Sequence, residues 1–162
     1  MPPTVLGRLE IRRTADIAKN PWHVAKTRAD KTGVVLGDLL ARTEEESYVL
    51  IGHSLGARVM AIAAEALGTK PGGPRIQDVH LLGAAIGAKG EWEGLVAGVD
   101  GAVYGYHSEN DAVLKHIYTV VQGGQKAAGY SGFVPESTKL INVDVSDVVK
   151  SHSDYQAKVA LQ

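Results

Sequence analysis

Two kinds of segment alternate along the chain when its residues are divided into hydrophobic and polar positions. Four short apolar runs have the length and composition typical of strands, at 48–51, 78–83, 101–106 and 139–143. Segments with apolar residues three and four positions apart predict helices at 22–41, 55–67, 91–99, 111–121 and 154–161. Strands that alternate with helices predict parallel crossovers. The pattern therefore predicts an α/β fold, with an open, mostly parallel sheet and helices on both of its faces.

The beginning of the chain and one late segment follow this pattern less closely. Alternating apolar positions at 4–11 predict a short strand, and Pro21 is predicted to open the first helix with Asn20 as its cap. Residues 122–136 are rich in glycine and small side chains, which favours a loop or a small lid over a linker. The 162 residues are predicted to form one domain, with residues 1–20 as an N-terminal segment outside the main pattern.

Two glycines lie inside the first predicted helix. Gly33 and Gly37 stand four positions apart, and glycine in a helix interior lowers helix stability relative to alanine. We expect these glycines where the helix packs closely against the sheet.

The turn between the first predicted strand and the next helix carries the main chemical signal. Gly52-His53-Ser54-Leu55-Gly56 fits Gly-x-Ser-x-Gly, the nucleophile elbow, which holds a serine on a tight turn with its hydroxyl exposed. A side chain at either glycine is expected to collide with the neighbouring strand or helix. The backbone N–H of Leu55, at a helix N-terminus, is expected to face a developing oxyanion. The alternative interpretation is an ordinary turn between a strand and a helix.

Two further residues follow predicted strands, at the edge where sites form in parallel sheets. Asp111 follows the third strand and His152 lies in the last loop. A serine nucleophile needs a base, and the base needs an acceptor that fixes its tautomer. The order serine, acid, histidine is that of α/β-hydrolases, which predicts Ser54, Asp111 and His152 as a catalytic triad. Asp111 also suits a helix N-cap, and Glu109 is a second candidate for the acid.

The other histidines suit lesser roles. We expect His53, with its ring packed behind the turn, and His107, at the end of the third strand, to line the substrate site. His23, His80 and His116 are expected to have structural roles. No pair of histidines has metal-ligand spacing within a recognisable site, so we predict no metal and no cofactor.

Composition and net charge narrow the classes of binding partner and the cellular location that the sequence predicts. A net charge of −1 and a pI near 6.6 give no electrostatic case for nucleic acid or an anionic membrane surface. The sequence has no cysteine, which excludes disulfides and thiolate catalysis. No run has the length of a signal-peptide core or a membrane span, so we expect no integral membrane segment and a cytoplasmic protein. Export without a cleavable signal would leave the same sequence.

Several blocks of sequence resemble a known family. They are Asn20-Pro21-Trp22, Leu50 to Val59, Val79 to Ala84, Leu95 to Gly98, Tyr104 to Leu114 and Ser151 to Tyr155. On these blocks the chain resembles, from about residue 20 onward, a bacterial relative of the α/β-hydrolases in the domain of unknown function 726 family, which also contains eukaryotic transmembrane and coiled-coil domain proteins. The resemblance implies the same triad of Ser54, Asp111 and His152.

The chain lacks one recognisable part of that family. The upstream strand, whose glycine-bearing loop gives the second oxyanion donor, cannot be identified, so the fold is predicted to be short of N-terminal strands. The strand at 48–51 would then lie at an open, apolar edge, which soluble proteins avoid. We expect residues 4–11 to cover this edge, or a second chain to do so in a homo-oligomer or with a partner polypeptide.

These features predict a serine hydrolase of the esterase or lipase type. Its substrate would be a small-molecule or lipid ester, or a related acyl compound, cleaved through an acyl-enzyme on Ser54. The alternative is a catalytically impaired hydrolase-fold subunit that acts by binding or assembly. The triad favours the enzyme, and the missing strand favours the subunit.

Overall fold

A single parallel sheet organises the computed structural model, which describes the backbone of residues 5–162 and the side chains of residues 20–162. Its four strands lie in the order of the sequence: β1 (Ser47–His53), β2 (Arg75–Leu82), β3 (Val103–His107) and β4 (Leu140–Asp144). All three strand pairs are parallel. The predicted α/β fold with a parallel sheet is confirmed.

Helices connect and follow these strands. Their bounds are α1 (Val5–Leu40), α2 (Leu55–Gly68), α3 (Glu93–Ala97), α4 (π-helical at Val113–Tyr118, α-helical at Thr119–Val121), α5 (Ala128–Ser131) and α6 (Tyr155–Lys158). One face of the sheet packs against α2 and α3 around a core that includes Val79 and Leu81. The other face is covered by residues near α6, where Tyr155 packs against Tyr106. Within the segment predicted as a loop or lid, α5 is held by backbone hydrogen bonds to the loop after β2.

The first helix corrects two predictions. Residues 5–11 are helical instead of forming a strand, and Pro21 lies inside α1 instead of opening it. Residue 4 lies outside the described backbone. The alternation at 4–11 rests on few apolar positions, and Val5 and Leu9 also have the four-residue spacing of a helix. Proline costs a helix one N–H hydrogen bond and so does not by itself mark a helix start.

The two glycines of α1 pack against a helix and not against the sheet. A Cβ at Gly33 would lie 2.7 Å from the Ile62 Cβ, and one at Gly37 would lie 2.9 Å from both the Ala63 carbonyl oxygen and the Ala66 Cβ. All three neighbours belong to α2. The prediction of close packing holds, but the predicted partner was wrong, because α1 lies against α2 along much of its length.

The first strand is an edge strand. β1 pairs with β2 on one side, and within the described residues no strand pairs with its other side. Val49 and Ile51 on this strand are about half exposed. A strand at residues 4–11 does not cover this edge, since the described part of that segment is helical.

The strand register brings the carboxyl ends of the strands to one level. His53 is paired with Leu82, Leu82 with Tyr106, and His107 with Asp144. In a parallel sheet, the loops that leave these ends meet above the same edge. That edge carries the candidate site.

Candidate active site

Ser54 lies on a strained turn between β1 and α2. Its φ of 57° and ψ of −120° make it the one non-glycine residue with positive φ in the described part of the chain. The Ser54 N–H donates to the Leu82 carbonyl at 3.0 Å, and the Ser54 carbonyl accepts from the Ala85 N–H at 3.1 Å. Strain of this kind persists only where surrounding contacts hold it. Here the contacts come from the end of β2 and the loop that follows.

The two glycines that flank this turn differ in the space that a side chain would have. A Cβ at Gly52 would collide with the carbonyl group of Gly56 and lie 2.7 Å from the Ala57 nitrogen. A Cβ at Gly56 would have no neighbouring atom within 4 Å. The predicted collision is therefore wrong for Gly56, because this residue in the first turn of α2 faces open space.

The structure brings Ser54, His152 and Asp111 into one hydrogen-bonded chain. The His152 Nε2 lies 2.9 Å from the Ser54 Oγ, and the His152 Nδ1 lies 2.6 Å from the Asp111 Oδ2. The Asp111 side chain is fully buried and the His152 side chain is 19% exposed. A carboxylate at Nδ1 fixes the tautomer that leaves Nε2 free to accept the proton of the serine.

Asp111 also stabilises the start of α4. Its Oδ1 accepts the Leu114 N–H at 3.0 Å, while its Oδ2 faces His152. This contact fits the interpretation of Asp111 as a helix cap, and its role as the acid of a triad stays a prediction. Glu109, the other candidate for the acid, is exposed, and its backbone N–H donates to the Ser146 hydroxyl.

The loop that carries His152 is held by Asp154, a residue that sequence reasoning missed. The Asp154 Oδ2 accepts the N–H groups of Lys150 and Ser151, the two residues before His152, at 2.9 and 3.0 Å. The Lys158 ammonium lies 3.0 Å from the same oxygen. The Lys150 N–H, followed by the Lys158 side chain, lowers the pKa of Asp154 to about 2. In the sequence, the signal for this role is that Asp154 lies two residues after His152.

His53, the neighbour of Ser54, supports the same loop. Its Nε2 lies 2.8 Å from the His152 carbonyl oxygen, to which it can only donate. The two imidazole rings lie 4.8 Å apart between centroids. Burial, and then the charge of His152, lowers the pKa of His53. Its predicted place behind the turn and its role in lining the substrate site stay predictions.

The ring of Tyr155 packs against the rings of His53 and His152. The sequence alone gave this residue no role. It is fully buried, and its hydroxyl donates to the Gly129 carbonyl at 3.0 Å. Its ring lies 5.5 Å from that of His53. Burial, and then the negative charge of Asp111, raises the pKa of Tyr155, so its hydroxyl stays a proton donor.

The remaining predicted residues lie around this chain. Leu55 is the first residue of α2, so its backbone N–H has no partner within that helix. His107 ends β3, with a buried Nδ1 that has no hydrogen-bond partner among the described residues. His80 is buried, with its Nδ1 2.9 Å from the Tyr106 hydroxyl, as suits a structural histidine. Among residues 20–162, no group of three or more histidine and carboxylate side chains could hold a metal ion.

Comparisons with known proteins find relatives that are longer than this chain. A protein of Caenorhabditis elegans named as an uncharacterized membrane protein is 33% identical, over 90% of this chain and 24% of its own length. The transmembrane and coiled-coil domain-containing protein STS1 of Oryza sativa is 32% identical, over 86% and 22%. The probable lipase MIL1 of Saccharomyces cerevisiae is 28% identical, over 86% and 13%. The chain thus spans about a quarter or less of these relatives. No solved structure matches it.

The names of these relatives overturn two predictions. Several relatives are named as membrane or transmembrane proteins, which contradicts the predicted cytoplasmic location. The predicted partners were an ester substrate and a homo-oligomer or partner chain, with no nucleic acid and no integral membrane segment, and this prediction is contradicted on the same ground. Among the described helices, none is both long enough and apolar enough to cross a bilayer.

One family model matches nearly the whole chain. The model of the family described as "Protein of unknown function (DUF726)" matches residues 6–161. This span includes the turn at Ser54, the buried Asp111 and the loop of His152. The chain therefore belongs to the DUF726 family.

Proposed function

We propose that this protein is a serine hydrolase of the α/β-hydrolase type that cleaves a carboxyl ester or a related acyl bond. The observation that carries the proposal is the hydrogen-bonded chain from the Ser54 hydroxyl through His152 to the buried carboxylate of Asp111. The strained φ of Ser54 supports it, since serine adopts this conformation in nucleophile elbows. The chain order of the three residues is also that of α/β-hydrolases.

The reaction uses each residue in turn. The Ser54 Oγ attacks the acyl carbon while the His152 Nε2 takes the hydroxyl proton, and the charge of the imidazolium is stabilised by Asp111. The Leu55 N–H donates to the oxyanion of the tetrahedral intermediate. His152 then gives the proton to the leaving alcohol, and an acyl group remains on Ser54. A water molecule, deprotonated by His152, attacks this acyl-enzyme and releases the acid.

The class of substrate is inferred from the names of relatives. The name "probable lipase" of the yeast relative supports an acyl substrate. The membrane names of other relatives support a substrate drawn from a membrane.

Labelling with a fluorophosphonate tests the proposal without the natural substrate. This probe phosphonylates a serine only when a base activates it, so we expect one label on each protein molecule, at Ser54. Ser54→Ala should lose the label completely. His152→Ala should slow labelling by about 1000-fold or more, since the base is then absent.

Matched variants define the controls. Ser47→Ala removes a hydroxyl at the opposite end of β1, and His23→Ala removes an exposed imidazole from α1; both should be labelled like the unmodified chain. Circular dichroism checks that each variant is folded. A folded protein that takes no label at Ser54 would reject the hydrolase and favour a catalytically impaired subunit of the same fold.

A further inference from the structure

Helix α4 is apolar on both of its sides. Leu114 and Tyr118 face inward and are buried. On the outside, the side chains of Val113, Ile117 and Val120 are 37%, 50% and 53% exposed. One exposed apolar residue needs no explanation, but three on a helix this short form a patch of the kind that marks an interaction surface.

The charged side chains of the segment that contains this patch all have one sign. Residues 112–135 contain no aspartate or glutamate, whereas Lys115 and Lys126 lie within this range and are exposed. The acid that precedes the segment, Asp111, is fully buried and directed at His152. The Lys115 ammonium lies 5.9 Å from the centroid of the Tyr130 ring, which places this cation at the surface beside α5.

The patch is held firmly beside the candidate active site. α4 begins two residues after Asp111, and the Asp111 carboxylate accepts the Leu114 N–H at the start of the helix. On the inner side, the Tyr118 ring packs edge to face against Trp22 of α1, with 5.6 Å between the ring centroids. Helix α4 is therefore fixed in place next to the hydrogen-bonded chain of Asp111 and His152.

We propose that the outer surface of α4, defined by Val113, Ile117 and Val120, docks onto the anionic surface of a lipid membrane, with Lys115 and Lys126 of the same segment as its cations. The three apolar side chains enter the boundary between head groups and acyl chains, and the two ammonium groups contact lipid phosphates or carboxylates. This property goes beyond hydrolysis, because it needs no reaction at Ser54.

The observations favour a membrane over a second copy of the chain. In a symmetric dimer the same patch meets itself, so each lysine would be brought towards its equivalent in the partner. An anionic bilayer instead complements both charges and apolar side chains. The membrane names of several relatives agree with this choice.

Sedimentation with vesicles tests the surface directly. The full chain is mixed with vesicles of phosphatidylcholine alone and with vesicles in which about a third of the lipid is phosphatidylserine. We expect binding to the second kind and about tenfold weaker binding to the first. Ile117→Glu combined with Val120→Glu should weaken binding by about tenfold or more. Lys126→Gln should weaken it by about fivefold, the effect of one cation near such a surface.

Two controls separate this inference from others. Val35→Glu changes a valine of α1 that is equally exposed, about 20 Å along the helix from Trp22, and should leave binding unchanged. Ser54→Ala should bind vesicles like the unmodified chain, so failed docking and failed hydrolysis are distinguishable. Should the double variant fail to fold by circular dichroism, Ile117→Ser takes its place.

Three outcomes would overturn the proposal. The unmodified chain could fail to sediment with vesicles of either composition, including a case in which α4 is buried between two copies of the chain. The folded α4 variants could bind as tightly as the unmodified chain. Val35→Glu could instead be the variant that loses binding, which would place the docking surface on α1.

Discussion

His53 is coupled to the proposed reaction through the backbone of the base. Its Nε2 donates to the His152 carbonyl, and burial lowers its pKa, so the ring is neutral and donates from that nitrogen. Loss of this hydrogen bond frees the loop that aims His152 at Ser54. Small displacements of a catalytic group can cost large factors in rate.

We expect His53→Ala to slow fluorophosphonate labelling of Ser54 by about 10- to 100-fold. His53→Gln, whose amide can donate from a similar position, should recover part of this loss. With a small activated ester, the variants should differ in kcat more than in KM, because the base is misplaced and the substrate contacts are kept. Equal loss in the alanine and glutamine variants would contradict a positioning role for this hydrogen bond.

Single residues differ in how far the sequence reveals them. Ser54, Asp111 and His152 could be identified because each follows a strand and the strands of a parallel sheet end at one edge. The contributions of Asp154 and His53 could not, because both act on backbone groups of a loop whose path the sequence does not specify. At Gly56 the sequence motif was misleading. It predicts that a side chain would collide there, but the structure leaves open space around this residue.

The contact between α1 and α2 depends on glycine. At Gly37, a Cβ would lie 2.9 Å from the Ala63 carbonyl oxygen, an atom of a helix backbone that cannot move alone. Helix propensity favours alanine over glycine here by up to about 1 kcal/mol. The collision opposes this gain, because added groups in a closely packed contact cost about 1 to 3 kcal/mol.

Gly37→Ala is therefore expected to lower the free energy of unfolding by about 1 to 2 kcal/mol, although it improves the local helix. Urea denaturation followed by circular dichroism measures the change. Thr27→Ala, an exposed position on the same helix, serves as the control and should change stability by no more than about 0.5 kcal/mol. A stabilised Gly37→Ala protein would mean that α1 shifts away from α2 at little cost.

Helices and strands were predictable where their patterns are long or bounded by turns. β1 and α2 satisfy the second condition, since an apolar run ends at a glycine turn and a helical pattern follows. α1 does not, because Pro21 and a short alternation suggested a break that the helix passes through. The π-helical part of α4 was not predicted, since α- and π-helices have similar apolar spacing over one or two turns.

Stability of the fold as a whole is expected to depend on acid through Asp154. Hydrogen bonds lower its pKa from 3.8 to about 2, so the folded state favours the charged carboxylate. The resulting stabilisation is fully present above the unfolded value of 3.8 and is lost as the pH falls towards about 2.

Asp154→Asn should therefore lower Tm at neutral pH, and the difference in Tm from the unmodified chain should shrink as the pH falls from about 4 to about 2. Thermal unfolding at a series of pH values, followed by circular dichroism, measures this difference. Asp147→Asn, at an exposed position of the same loop, is the control for loss of a negative charge. A difference in Tm that stays constant through the acid range would show that Asp154 stabilises the loop without its charge.

Net charge describes this molecule poorly. The value of −1 for the whole chain argued against an anionic membrane surface, yet residues 112–135 carry no acidic side chain. Opposite charges elsewhere cancel in the sum but not in space, since exposed charges interact over about 10 Å at moderate salt. The location of charges on one helix was available from the sequence, but their position beside exposed apolar side chains required the fold.

The turn at Ser54 keeps its shape without the serine hydroxyl. The hydrogen bonds that hold it, to Leu82 and from Ala85, use only backbone atoms, and alanine bears the same strain at positive φ as serine. Replacing Ser54 with alanine therefore removes the hydroxyl oxygen and leaves the structure of the surrounding turn unchanged. Under the proposed function, a Ser54→Ala protein should therefore retain its natural ester uncleaved, so that the bound ester can be recovered and identified by mass spectrometry.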